Sequence, residues 1–96
     1  MPDSRSKRPS QVVVRYHGIP HTLDLLRCRR ALVGCQVEDK FTGMESLAGQ
    51  IRISRSTVSR FFGGRNTSLA VTLKILGALG LQFDDVVKLC DAGDAA

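Results

Sequence analysis

The chain is poor in aromatic residues, with no Trp, one Tyr and four Phe among its 96 residues. Its core must therefore be mainly aliphatic, and the hydrophobic fraction of 43% is ordinary for a globular chain of one small domain. No apolar run approaches the roughly 20 residues of a membrane-spanning helix, and the N-terminus lacks the apolar segment of a signal peptide. We expect a cytoplasmic protein without a membrane partner.

The sequence also lacks the residue clusters that metal sites and catalytic centres need. Cys28, Cys35 and Cys90 form no close pair, and neither His17 nor His21 stands at a ligand spacing from them. The scattered carboxylates complete no nucleophile, base or metal-ligand set. We therefore expect no metal, no cofactor and no enzymatic activity. The seven-residue spacing of Cys28 and Cys35 fits two thiols packed on one helical face.

Acidic residues are missing from one stretch of this basic chain, whose net charge is +5. Residues 52–65 contain four arginines and no Asp or Glu, and residues 1–20 carry four basic residues against one Asp. The segment from residue 84 onward carries four Asp against one Lys. One pole is cationic and the other acidic, which favours a polyanionic partner over a merely solvated surface.

Local signals divide the chain into four segments. We expect a disordered basic arm over residues 1–10, an extended or strand-like segment over 11–21, a helical domain over 22–90 and a frayed tail over 91–96. The strand-like segment contains the only β-branched run, and Gly18-Ile-Pro20 should break it.

The helical domain should hold five short helices in one all-α unit, a five-helix bundle with an extended N-terminal arm. The predicted helix starts are the cap Thr22, the capping box of Thr42 and Glu45, the cap Ser54, one of Asn66, Thr67 or Ser68, and about Phe83. The first helix should run to about Gly34, Gly63-Gly64 should end the third, and Gly80 the fourth.

Apolar spacing predicts the inward side chains. They are, in chain order, Leu23, Leu26, Val33, Val37, Phe41, Leu47, Ala48, Ile51, Ile53, Val58, Phe61, Leu69, Leu73, Leu76, Leu79, Val86, Val87 and Leu89. Arg30 interrupts the stripe of the first helix, with its aliphatic stem over the core edge and its guanidinium in water.

Residues 44–64 carry the most informative pattern: a short helix, a tight turn and a second helix that begins at the hydroxyl cap Ser54. With the apolar positions inward, the outer face of the second helix presents Arg55, Ser56, Ser59 and Arg60. Arginine can bind guanine O6 and N7 with two hydrogen bonds, and serine can donate to or accept from any base edge. A recognition helix over about 54–62 should therefore lie in a DNA major groove.

This segment resembles the phage lambda repressor and Cro type of helix-turn-helix family. The motif's apolar places are held by Leu47, Ala48, Ile51, Ile53, Val58 and Phe61, and the resemblance covers about residues 22–89. It implies base contacts from Arg55, Ser56 and Arg60 with Ser59 as a helper, and backbone contacts from Met44, Ser54, Arg65 and Asn66. Arg52 stands where the family often has Gly, so a non-glycine residue should adopt the left-handed conformation there. Met44 stands at the first position of the motif, where the family often has Gln.

The leading hypothesis is a sequence-specific, double-stranded-DNA-binding transcriptional regulator located at the nucleoid. One recognition helix covers few base pairs, so a homodimer on a palindromic operator is expected. The alternative is an antitoxin-like module that binds a protein partner and autoregulates through the same motif. The segment before the first helix can serve as a dimer strand, or its basic residues as a minor-groove arm.

Overall fold

The computed structural model describes residues 10–90, so the predictions for the basic arm, Ser10 aside, and for the tail after residue 90 lie outside the described residues. The elements in chain order are β1 (Gln11–Tyr16), β2 (Ile19–Asp24), α1 (Leu25–Val37), α2 (Met44–Ile51), α3 (Arg55–Phe62), α4 (Leu69–Leu79), α5 (Phe83–Val86) and β3 (Val87–Leu89). The three strands form one antiparallel sheet in the order β1-β2-β3. The predicted all-α class is therefore wrong, and the fold is mixed α/β.

A tight hairpin joins β1 to β2 and replaces the predicted break at residues 18–20. Only His17 and Gly18 form the turn, with φ of 56° and 77°, and Tyr16 and Ile19 already face each other across it. Two successive residues with positive φ give the turn whose twist matches that of the flanking strands. The segment predicted to be strand-like, residues 11–21, contains β1, the turn and the start of a second strand that was not predicted.

Pro20 is tolerated in the central strand because its missing N–H is not needed there. Its cross-strand partner Arg15 directs its own N–H away from β2, to Asn66 Oδ1 at 2.9 Å. On the other side, Pro20 lies just beyond the short ladder with β3 and only has to accept a bond from the Cys90 N–H, at 3.1 Å. Proline is confined to such ladder ends and edges.

The first helix begins two residues later than predicted and packs through a different face. Asp24 caps it by accepting a 3.1 Å hydrogen bond from the Arg27 N–H, while Thr22 belongs to β2. Its buried residues are Leu25, Cys28, Leu32 and Cys35. The predicted inward residues Leu26, Val33 and Val37 are exposed. Burying that stripe would have desolvated Arg30, whereas the buried face carries no charge.

The other helices largely follow the predictions. Ser54 and Ser68 cap α3 and α4 through side-chain oxygens, and Gly80 ends α4 with φ of 77°. The start of α2 differs, because its N-cap is Gly43 and not Thr42, and no capping-box bond forms.

One core of aliphatic and aromatic side chains lies between the sheet and the helices. Leu76, Leu79, Val86 and Val87 are buried as predicted, but Leu73 and Leu89 are exposed. Leu89 is exposed because α5 ends at Val86 and the chain continues as the edge strand β3. Within residues 10–90, no helix has the length and apolar character that crossing a bilayer requires.

Candidate nucleic-acid interface

Helices α2 and α3 are joined by a tight turn that forces one residue into the left-handed region. Arg52 has φ of 61° and ψ of 46°, as predicted for this position. The next residue, Ile53, donates its N–H back to the Ala48 carbonyl at 3.0 Å. The side chains of Leu47 and Ala48 are buried beside the turn. The angle between the two helices is thus fixed by backbone bonds and by close packing at Ala48.

The start of α3 is held by a dense hydroxyl cluster. Ser54 Oγ accepts from the Thr57 N–H at 3.2 Å and lies 2.8 Å from Thr57 Oγ1 and 3.2 Å from Ser56 Oγ. The Ser54 side chain caps the helix as predicted, and the phosphate contact predicted at Ser54 belongs to backbone N–H groups. The remaining N–H groups of the first turn form the positive end of the helix dipole.

Helix α3 buries one side and exposes the other, as its sequence predicts. Val58, Phe61 and Phe62 are buried, and the rings of Phe61 and Phe62 meet edge to face with centroids 5.1 Å apart. All four predicted base-contacting residues, Arg55, Ser56, Ser59 and Arg60, are exposed. Ser56, Ser59 and Arg60 lie on the side away from Val58, whereas Arg55, seven positions before Phe62, is exposed in the first turn at the edge of the buried side. The surrounding sequence contains no Asp or Glu between Glu45 and Asp84. The exposed face is therefore cationic and rich in hydrogen-bond donors.

The end of α3 is held from the first helix. Arg29 on α1 donates through Nη2 to the Phe62 carbonyl at 3.1 Å. A guanidinium at this point also interacts favourably with the negative end of the helix dipole. Ser54 fixes the first turn of α3 and Arg29 fixes the last, so the exposed face of α3 has one orientation relative to the rest of the domain.

The loop after α3 is folded tightly against the hairpin. The Gly64 and Arg65 N–H groups donate to Phe61 and Arg60 carbonyls, at 3.1 and 3.0 Å, and Gly64 has φ of 84°. This pair of hydrogen bonds is the usual way in which a helix ends at a glycine. A Cβ on Gly64 would lie 3.0 Å from Val12 Cγ1 of β1, so the loop and the strand are in direct contact.

Asn66 ties the same loop to β1, a connection that sequence reasoning missed. Its Oδ1 accepts the Arg15 N–H, so of its predicted role as a phosphate contact only the amide N–H groups remain. Arg65 and Asn66 are both exposed, and Arg15 adds a third exposed polar residue beside them. The only sequence signal was Gly18 soon after the strand-like run, because glycine readily adopts the positive φ that a tight hairpin turn requires.

Met44, predicted to contact the DNA backbone at the other end of the motif, is half-buried and packs against the core. Its side chain has no hydrogen-bond donor. Met44 itself can bind a phosphate only through its backbone N–H, at the first turn of α2, where no side chain provides a cap.

Two other kinds of site, a metal centre and an ionised Cys28 thiol, can be compared with the cationic face. No group of three or more His, Cys, Asp or Glu within residues 10–90 is arranged to hold a metal ion. Burial raises the pKa of the Cys28 thiol to about 12, so this thiol is not ionised at neutral pH. Comparison of the chain with protein-family models, curated proteins and solved structures finds no match.

Proposed function

We propose that this protein is a sequence-specific DNA-binding transcriptional regulator that inserts α3 into the major groove. The observation that carries the proposal is the exposed surface of α3: two arginines and two serines are exposed on a helix whose apolar residues are buried, in a segment without acidic residues. A protein surface of this width and charge matches a major groove and the phosphates on either side of it. The resemblance to phage repressors and Cro supports the same orientation.

The proposed contacts fall into two groups with different physical consequences. Arg55 and Arg60, with Ser56 and Ser59, read base edges, so they determine which sequence is preferred. Arg65, the Asn66 amide and the N–H groups at the starts of α2 and α3 bind phosphates. The second group holds the register of the helix on the duplex and gives binding its dependence on salt.

A single recognition helix reads few base pairs, so the proposal includes a homodimer on two half-sites about one helical turn apart. Such a regulator would act at the nucleoid. The antitoxin-like alternative remains a prediction, and co-purification with a small unrelated protein would favour it.

The direct test is selection of bound duplexes from a random pool at a stated salt concentration. The proposal predicts enrichment of one sequence with twofold symmetry. Enrichment of no sequence, together with equal affinity for every duplex, would contradict sequence-specific binding.

Alanine variants then test the role of α3. Arg55→Ala and Arg60→Ala should each weaken binding to the selected site by about 1–3 kcal/mol and relax the choice of one base pair. Lys88→Ala is the matched control, because Lys88 is an exposed cation on β3, the sheet edge opposite the strand that contacts the loop after α3. Equal losses on selected and random duplexes would refute base contacts by the two arginines.

A further inference from the structure

Helix α1 carries apolar side chains on its solvent side as well as on its core side. Leu26, Val33 and Val37 are 37%, 56% and 77% exposed. Positions separated by seven and eleven residues line up along one side of a helix, here the side opposite Leu25 and Cys28. Surface helices normally keep that side polar. We call this surface, made of Leu26, Arg30, Val33, Gly34 and Val37, the outer face of α1.

Charges along this face are arranged with opposite signs at its two ends. Arg27 and Arg30 lie in the first half of α1, and Glu38 follows its last residue; all three are exposed. Arg30 lies four positions before Gly34 and Glu38 four positions after it, so each is about 6 Å from Gly34 along the helix axis. A second α1 that crosses antiparallel at Gly34 therefore brings Arg30 beside Glu38 of the partner subunit, twice per pair. A parallel crossing would bring like charges together.

Gly34 permits the close approach that such a crossing needs. It lies inside α1, and a Cβ placed on it would have no neighbouring atom of residues 10–90 within 4 Å. The folded chain alone therefore does not require glycine here, although glycine lowers helix stability relative to alanine. A second helix laid over this point would gain contact with the flanking valines Val33 and Val37.

We propose that the outer face of α1 binds a second copy of this chain, with the two helices antiparallel. The proposal deepens the proposed function, on which its biological purpose rests, since it names the surface that holds two recognition helices together. Self-complementary charge favours a second copy over another occupant, because each copy supplies both signs of the pair. The exposed ion pair between Glu38 and Lys40 Nζ, at 3.5 Å, competes weakly with it.

The measurement is sedimentation equilibrium of the full chain without DNA, at low and at high salt. One helix pair is smaller than a standard interface of about 800 Å² per partner, so a concentration-dependent dimer is expected. Arg30→Glu and Glu38→Arg should each weaken the homodimer at least tenfold, because each places like charges in both pairs. An equimolar mixture of the two variants should dimerise again, because both pairs then have opposite signs.

Glycine variants provide a second test that does not depend on charge. Gly34→Ala should weaken dimerisation while raising the melting temperature of the monomer. Gly77→Ala is the matched control, since Gly77 also lies inside a helix with no atom within 4 Å of a Cβ. It should raise the melting temperature and leave the dimer unchanged.

Three results would overturn the proposal: a monomer at all concentrations, a dimer indifferent to both charge reversals, or a dimer lost on removal of residues 1–9. The last would assign the occupant of the face to the N-terminal segment. Because no DNA is present, failure here is distinct from failure of the proposed function. A monomer that still selects one DNA sequence refutes only the α1 surface, and a dimer that selects none refutes only the DNA proposal.

Discussion

Replacing Gly64 by alanine should destabilise the protein through two separable effects. Gly64 has φ of 84°, a conformation that disfavours alanine by about 1–2 kcal/mol. The added Cβ would also lie 3.0 Å from Val12 Cγ1 and 3.4 Å from Leu25 Cδ2. Crowding of this kind adds about 1–3 kcal/mol. We expect a total loss of about 2–5 kcal/mol, a large part of the stability of a small domain.

Gly80 separates the two effects. It ends α4 as Gly64 ends α3 and has φ of 77°, and among the described residues no neighbouring atom lies within 4 Å of a Cβ placed on it. Gly80→Ala should therefore lose only the conformational part, about 1–2 kcal/mol. Urea unfolding followed by circular dichroism measures both variants.

A double-mutant cycle with Val12→Ala tests the crowding itself. Val12→Ala removes the methyl group nearest to the new Cβ, so in that background Gly64→Ala should lose less stability than in the wild type. Equal losses for Gly64→Ala and Gly80→Ala, with no coupling to Val12, would refute the contact between the loop and β1.

Four further outcomes are expected. Arg65→Ala should lower affinity for all duplexes alike and reduce by about 1 the slope of log affinity against log salt concentration. A change in site preference alone would contradict a phosphate contact. Val58→Asp should lower the free energy of unfolding by more than about 4 kcal/mol, because it buries a charge; a native-like melting curve would show that Val58 is not buried. Arg52→Gly should raise that free energy by about 1 kcal/mol, measured by urea unfolding, since it relieves a left-handed arginine; a loss would contradict this conformation. Stability should fall as pH rises from about 9 towards 12, because the Cys28 thiol, with its folded-state pKa of about 12, loses its proton first in the unfolded chain. Urea midpoints at several pH values should show a flatter profile for Cys28→Ala.

The parts of the fold that local signals encode were predictable. Ser54 as a cap and Gly80 as a stop follow from neighbouring residues, the left-handed Arg52 was implied by the family resemblance, and the structure confirms all three. The burial of Val58 and Phe61 follows from helical spacing within a single short segment.

The sheet was not predictable in the same way, because its strands depend on distant partners. β3 has three residues and pairs with a strand more than sixty positions earlier, as Thr22 faces Lys88. Pro20 argues against a strand unless its place at the end of that ladder is known. The sequence of residues 11–24 therefore indicates one strand, while the structure contains two.

The face of α1 was ambiguous for a different reason: two apolar stripes run along the same helix. The stripe through Leu26 and Val33 includes Arg30, and the stripe through Leu25 and Cys28 includes no charge. The spacing of Cys28 and Cys35 indicated the second stripe, and both thiols are buried there, as readily as aliphatic side chains would be.

At the candidate interface, the exposure of Arg55 and Arg60 followed from the sequence, but the bond between Asn66 and Arg15 did not. These two residues are 51 positions apart, and only the folded hairpin brings them together at 2.9 Å. The Asn66 side chain therefore ties the loop after α3 to β1, a role that its position in the helix-turn-helix motif does not reveal.

The three cysteine thiols differ in burial, so their chemical labelling can be used to follow unfolding. Cys28 and Cys35 are buried, and Cys90 is partly accessible. A maleimide added to the native protein will therefore modify Cys90 first, and the other two only when the core opens. The mass of the labelled chain thus distinguishes native from opened molecules. A fluorophore on Cys90 lies at the β3 edge of the sheet, opposite the edge formed by β1.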